Sequence, residues 1–458
     1  MLVAGIDSST QSTKVVLCRT DDGEIVAQQS APHPDGTEVD PRYWWDALTA
    51  AGRGLLERAD AIGIAAQQHG MVVLDEAGQV IRPALLWNDV RSAAAAAELI
   101  AESGGPSWWA SATGSVPTAA FTVTKLRWLA THEPSCAGRV ARVLLPHDWL
   151  TWRLTGAFVT DRGDASGTGY FSPATGEWLP ALASAALGHA PELPRLAAPG
   201  AVVGHTPAGV PLSAGTGDNM GAALGLGVSP GEVVVSVGTS GTAYAVASVP
   251  AADQTGAVAG FCDATGRFLP LVCTMNAARV LDAWSRLLGV SFAEFDALAL
   301  DAPPGAGGLT LLPYLDGERT PNRPSATGVL SGLTGANATP PNMARAAAEA
   351  VLCSLADALD CLVSSGVPVS SVLLTGGAAR SAAVRAIAPA IFGVPVTVPP
   401  PAEYVALGAA RQAAWALSGD TEPPAWPRPG GPVHQGVADD AVLARYAALR
   451  DATAAWDS

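Results

Sequence analysis

No stretch of about 18 uninterrupted apolar residues occurs in the sequence, so no segment reads as a membrane span. The residues before Asp7 carry no basic region and only a short apolar run, which does not read as a secretory signal. Positive charge is scarce. Lys and Arg number 26 against 41 Asp and Glu, for a net charge of −15. That balance argues against nucleic acid or an anionic membrane as a standing partner. Cysteine is sparse too: Cys18, Cys136, Cys262, Cys273, Cys353 and Cys361 form no C-x-x-C pair, and most sit in apolar runs. They read as reduced core thiols, which places the chain in a reducing cytoplasm. Three common site motifs are also missing. There is no G-x-x-x-x-G-K-[ST] loop, Gly225-Leu226-Gly227 lacks the rest of a dinucleotide fingerprint, and Gly238-Thr239-Ser240-Gly241 does not match G-x-S-x-G.

What is present is a chain of 458 residues, long enough for two or more domains with large cores. Residues 2–7, 13–19 and 24–29 read as three strands, the last two joined by an Asp21-Asp22-Gly23 hairpin turn. A helix follows, with Asp40 as its cap, Pro41 in its first turn, and Trp44, Leu48, Ala51 and Leu55 at helical spacing. Residues 61–66 form a strand, and a second hairpin runs from Met71 through Asp75–Gly78 to Trp87. A meander, then a helix, then a strand is not the strand–helix alternation of a dinucleotide-binding fold. About half a chain length later, residues 231–247 restart with a strand, a small-residue turn and a strand, which suggests an internal duplication. Asn342 is expected to cap a long amphipathic helix ended by Gly366. Residues 369–374 form a buried strand, Ser381 caps a further helix, 420–437 form a loop, and a last helix spans about 438–456.

The candidate chemistry lies at strand ends. Asp7 closes the first strand, and the turn after it carries Thr10, Ser12 and Lys14. Hydroxyls, backbone N–H groups and one ammonium suit a phosphate, and a carboxylate beside them suits Mg²⁺. Asp218 sits between Gly215, Gly217 and Asn219, where a carboxylate can take the proton of an attacking hydroxyl during phosphoryl transfer. Gly238-Thr239 and Gly376-Gly377 are two more glycine turns that let a phosphate or nucleoside approach the backbone. Gln67-Gln68-His69-Gly70 and Trp87-Asn88-Asp89 with Arg91 offer amides, imidazole, indole and carboxylate, a set that fits a polyol.

These residues resemble the FGGY carbohydrate kinase family, and the likeness covers nearly the whole chain. Gly5-Ile6-Asp7 to Lys14 is similar to the family's first phosphate turn, and Gln67–Gly70 with Leu86–Asp89 and Arg91 to the sugar loops of members acting on D-xylulose. Leu145-Pro146-His147-Asp148-Trp149-Leu150 and Asp164-Ala165-Ser166-Gly167-Thr168 fit as well. Two family signatures are nearly complete, around Lys125-Leu126-Arg127-Trp128-Leu129 and from Gly328 to Met343. Each departs at one packing position, Ala120 and Ala348. Gly376-Gly377-Ala378-Ala379-Arg380 departs further from the usual adenosine loop.

The resemblance implies an α/β fold of actin/hexokinase type, with two ribonuclease-H-like domains, 1–228 and 229–458, around a cleft that closes over the substrates. It implies transfer of the γ-phosphoryl of MgATP to the 5-hydroxyl of D-xylulose, and a possible homodimer. Asp218 would be the base and Asp7 would hold Mg²⁺ through water. Gln68, His69, Trp87, Asp89 and Asn219 would bind the sugar, Gly238 and Thr239 would meet the terminal phosphates, and Gly376 and Gly377 would border the adenosine. Two other readings stay open: a kinase for ribulose, fuculose, arabitol or another polyol, and an actin- or chaperone-like ATPase switch.

Overall fold

In the computed structural model, which describes residues 1–457, the opening segment is an antiparallel pair. β1 (Leu2–Ser8) and β2 (Ser12–Arg19) place Asp7 opposite Lys14 and Ser8 opposite Thr13. β3 (Ile25–Pro32) continues the meander. α1 (Arg42–Gly52) follows. Pro41 rather than Asp40 stands at its cap, although Asp40 still accepts from the Arg42 backbone N–H at 2.9 Å. β4 (Ala61–Ala66) then lies parallel to β1 on its other side, with Asp7 beside Ala65.

Successive strand residues face opposite ways, so this sheet buries two separate cores. Ala4, Ile6, Val15, Leu17, Ile62 and Ile64 share one with Trp44 and Leu48 of α1. Val3, Val16, Cys18 and Ala61 face the other way. α2 (Thr122–His132) and α3 (Pro146–Thr155) come next in the chain. β5 (Val202–His205) pairs antiparallel with β6 (Pro211–Ser213). β6 and then β7 (Thr216–Gly217) run parallel to β4, Thr216 beside Ala65. α4 (Asp218–Leu226) starts directly from β7.

The second half repeats this plan. β8 (Glu232–Val237), β9 (Gly241–Ala245) and β10 (Phe268–Thr274) form an antiparallel meander. After α5 (Pro340–Ser364), β11 (Ser371–Thr375) lies parallel to β8. α5 starts two residues before Asn342: Pro340 and Pro341 suit a first turn, and the hydroxyl of the cap, Thr339, accepts from the Asn342 N–H. α6 (Ala382–Phe392), capped by Ser381 as expected, leads to β12 (Val396–Thr397), parallel to β11. The orders β3-β2-β1-β4-β6-β5 and β10-β9-β8-β11-β12 plus β13 (Val433–His434) agree in sequence and direction, the second sheet carrying one further strand, Ala259–Cys262, beyond β10. The expected duplication is thus legible in the pairing registers. This twofold α/β plan is the actin/hexokinase-type fold.

The two compact units are discontinuous, unlike the consecutive stretches 1–228 and 229–458. One contains Met1–Val228, Ala247–Pro270 and Ala402–Arg428; the other contains Ser229–Val246, Leu271–Pro401 and the chain from Pro429 onward. The element responsible is α7 (Tyr404–Ser418), entered between β12 and β13. Its Ala406, Ala410 and Ala413 cover Val3, Val16 and Ala61 on the second face of the first sheet. That approach requires glycine in the strands. A Cβ on Gly5 would stand 1.8 Å from the Ala406 carbonyl oxygen, and one on Gly63 2.0 Å from that of Ala409. α4 meets α7 equally closely, since a Cβ on Gly408 would stand 1.8 Å from the Gly221 oxygen. The last helix, α8 (Asp440–Ala452), packs within the second unit, where Arg450 pairs with Asp357 at 2.6 Å. Among the described residues no helix is long and apolar enough to cross a membrane.

Candidate active site

β1, β4 and β7 are mutually parallel neighbours, so their C-terminal ends open on one edge of the first sheet. Such an edge is where open α/β sheets bind ligands. Asp7 ends β1, Gln67-Gln68-His69 follows β4, and Asp218 follows β7. Topology alone therefore gathers three segments that are far apart in sequence.

Asp7 is 3% exposed, and burial pushes its pKa up to about 6 against the pull of the Ser9 hydroxyl and the Lys14 ammonium. Lys14 stands opposite Asp7 in the β1–β2 register, but its Nζ pairs with Glu403 Oε2 at 2.7 Å, at the start of α7. Glu403 was invisible as a site residue in the sequence, and its partner lies 389 positions away. The turn itself is braced. Trp87 Nε1 donates to Thr10 Oγ1 at 2.9 Å, Thr13 Oγ1 bonds His33 Nε2 at 2.8 Å, and Ser12 opens β2 half-buried. Trp87 thus braces the turn between β1 and β2.

Asp218, half-buried in the first turn of α4, accepts from the Asn219 backbone N–H at 2.8 Å and from Asn219 Nδ2 at 2.9 Å. Asn219 Nδ2 also reaches Gln68 Oε1 at 3.1 Å, so base candidate and sugar candidates form one chain of contacts. Burial, and secondarily the Asp7 carboxylate, push the Asp218 pKa up to about 7, near the optimum for a base at neutral pH. Gln68 Nε2 is buried without a hydrogen-bond partner in the protein, as are both polar atoms of the Gln67 side chain. Buried donors are normally paired, so this edge awaits an acceptor from outside the chain. His69 lies next, φ 66°, its Nδ1 donating to the Gly167 carbonyl at 2.6 Å. A carbonyl only accepts, so Nδ1 carries the proton of this bond.

Asp89 stands differently from the other candidates. Its carboxylate takes Thr37 Oγ1 at 2.8 Å, the Arg91 N–H at 3.0 Å and Arg91 Nε at 2.9 Å. Arg91 and Arg82 share Glu38 and both lie over the Trp128 ring. The carboxylate is thus engaged by Thr37 and Arg91.

A second group of residues was not singled out for a role by sequence reasoning. His147 Nδ1 bonds Asp164 Oδ2 at 2.7 Å, and its Nε2 lies 3.2 Å from Asp148 Oδ1. Asp161 Oδ2 accepts from Thr216 Oγ1 at 3.0 Å, two residues before Asp218. All four side chains are buried. Burial opposes charge on His147, but the three carboxylates overcome it and hold the ring protonated, its pKa pushed up to about 10. Burial in turn raises Asp148 and Asp164. The signal in the sequence was the Pro146-His147-Asp148 start of α3, a charged pair inside an apolar stretch.

In the second unit, Gly238 and Thr239 follow β8, and Gly376 and Gly377 follow β11. β8 and β11 are parallel neighbours, Ser236 beside Thr375, so the two turns adjoin. Gly376 has φ 87°, and a Cβ there would lie 2.7 Å from the Val237 backbone. Thr239, Gly376 and Gly377 are exposed and Gly238 is half-buried.

Known proteins are similar to this chain over nearly its whole length. The profile of the FGGY family of carbohydrate kinases, N-terminal domain, matches residues 2–225, and that of the C-terminal domain matches 233–417. The chain is 47% identical to a xylulose kinase of Streptomyces coelicolor, over 97% of this chain and 95% of that protein. Its structure resembles the crystal structure of xylulose kinase from Bifidobacterium adolescentis, with a TM-score of 0.93, 44% identity, and 98% and 99% of the two chains covered. Glycerol kinase from Plasmodium falciparum, 19% identical with a TM-score of 0.87 over 100% and 98% of the chains, shares the fold. The chain belongs to the FGGY family of carbohydrate kinases and is a carbohydrate kinase.

Proposed function

We propose that this kinase transfers the γ-phosphoryl group of ATP to the 5-hydroxyl of D-xylulose, with Asp218 as general base. The observation that carries the chemistry is the continuous chain from Asp218 through Asn219 to Gln68, the residue before His69. The near-full-length likeness to xylulose kinases supports the choice of sugar. Asn219, Gln68 and His69 bind and orient the polyol, so that its terminal hydroxyl faces the Asp218 carboxylate. As the bond from the sugar oxygen to Pγ forms and the Pγ–O bond to ADP breaks, the hydroxyl proton passes to Asp218. A base whose pKa lies near neutrality is well matched to that transfer.

Thr10, Ser12 and Lys14, with the turn N–H groups, receive phosphate oxygens; Gly238 and Thr239 meet the terminal phosphates, and Gly376 and Gly377 border the adenosine. Asp7 fits a Mg²⁺ site: it is a buried carboxylate with its pKa raised, and a cation would relieve it. Among the described residues no group of three or more His, Cys, Asp or Glu could hold a metal, which matches an ion that keeps waters and phosphate oxygens as ligands. Mg²⁺, when bound, neutralises phosphate charge. The six free cysteines accord with a reducing cytoplasm. The test is coupled ADP release with MgATP and D-xylulose, D-ribulose, L-ribulose, L-fuculose, D-arabitol, glycerol or no sugar. Preference for D-xylulose with little ADP release in its absence supports the reading. Preference for another polyol replaces the substrate, and sugar-independent ATP consumption overturns the kinase mechanism.

A further inference from the structure

Of the 26 Lys and Arg residues only Lys14 and Lys125 are lysine. Lys14 belongs to the phosphate turn. Lys125, in the first turn of α2, is 0% exposed. Burial pushes its pKa down to about 7 against the pull of the Asp89 carboxylate, and among the described residues no carboxylate lies within ion-pair distance of it. Its Nζ donates instead to two backbone carbonyls, His69 O at 2.9 Å and Ala120 O. Two carbonyls converging on one point suit the compact ammonium, whose donors radiate from a single atom, better than the planar fork of arginine.

The His69 carbonyl is an unusual acceptor. His69 and Ala306 are the only described residues other than glycine with positive φ, and His69 carries the bulkier side chain. A side chain in that region persists only where its surroundings over-determine it. Here they do. Thr122 Oγ1 donates to the same carbonyl at 3.2 Å, the Phe121 ring lies 4.9 Å from the imidazole, and Nδ1 is held by Gly167. Residues 121–125 therefore fix both the peptide and the ring of His69. The same helix start is tied to the 164–168 loop through the Val123 N–H and Thr168 O at 2.9 Å.

We propose that Lys125 is a positioning residue for sugar recognition, holding His69 in the left-handed turn that sets its imidazole between the Gly167 carbonyl and the Phe121 ring. This rests on the reading of His69 as a sugar ligand. Losing the ammonium lets residue 69 relax toward the ordinary φ range, which misplaces the ring without touching the nucleotide turns.

The test uses the full chain and varies D-xylulose and ATP separately for wild type, Lys125→Met, His69→Ala and the double variant. Lys125→Met is expected to raise the D-xylulose KM by about tenfold or more while the ATP KM stays within about twofold. In the His69→Ala background it should add no further rise, because the group it positions is gone. An unchanged D-xylulose KM, or effects that simply add, overturns the proposal. Thr122→Val removes the neutral donor to the same carbonyl and leaves the buried ammonium in place, so it serves if Lys125→Met does not fold. It should raise the sugar KM in the same direction, and no change counts against the proposal. If wild type fails to use D-xylulose, the substrate reading has failed. The crystal structure of Lys125→Met then decides: residue 69 leaving positive φ supports Lys125 as its anchor, and retention of φ near its native value contradicts it.

Discussion

Gln412 clamps the peptide of Gly215 from both sides. Its Oε1 accepts from the Gly215 N–H at 2.9 Å, and its Nε2 donates to the Gly215 carbonyl at 3.1 Å. Oε1 also accepts from Ser213 Oγ. Gly215 opens the turn that delivers Asp218, so a side chain of α7 sets the backbone on which the candidate base stands. Gln412→Met keeps most of the volume and leaves both peptide groups unpaired. It should destabilise the protein by about 2–4 kcal/mol and lower kcat more than it raises the sugar KM. Denaturant unfolding and steady-state kinetics check this. A loss below about 0.5 kcal/mol with unchanged kcat would mean that the clamp is ornamental.

The α4–α7 contact has no room for a methyl group. Gly408→Ala forces a Cβ to within 1.8 Å of a backbone oxygen, so the helices must part. The expected cost is about 3 kcal/mol or more. Gly335→Ala, where a Cβ would meet nothing within 4 Å, is the control and should change stability by less than about 0.5 kcal/mol. Equal melting temperatures for the two variants would contradict the packing argument.

These two contacts also mark what the sequence could and could not reveal. The Asp7 turn, the β1–β2 pairing and Asp218 were legible because each is local: a strand period, a turn composition, a carboxylate beside glycines. The repeated sheet was legible for the same reason, as a second strand–turn–strand at half the chain length. The packing of α7 on the first sheet was not. Its alanines fit any helix, and nothing periodic links Ala406 to Gly5 or Gln412 to Gly215. Glu403 and the His147–Asp164 group stayed without a role for the same reason, since ion pairs carry no spacing rule across long separations. Asp89 shows the converse. Its local setting suited a polyol, and only the fold shows Arg91 and Thr37 engaging it.

Buried carboxylates give the protein a pH signature. A carboxyl near 3.8 in the unfolded chain and near 7 in the fold keeps its proton longer when folded. Native stability is therefore lost as pH rises through that window, and the full cost is reached above about pH 7. Asp218→Asn removes that group's share. The ligand-free variant should gain little over wild type at about pH 4 and about 1–2 kcal/mol at about pH 8, less than the full shift because Asp218 is only half-buried. Melting curves at the two pH values check this. An equal gain at both would show that Asp218 titrates as an ordinary carboxyl.

The most direct test of the account is sugar-dependent ADP release by Asp218→Ala, with circular dichroism and a nucleotide-induced thermal shift measured on the same sample. The account predicts a turnover loss of about 10²–10⁴-fold with fold and ATP binding retained. Turnover within about tenfold of wild type would contradict Asp218 as the base.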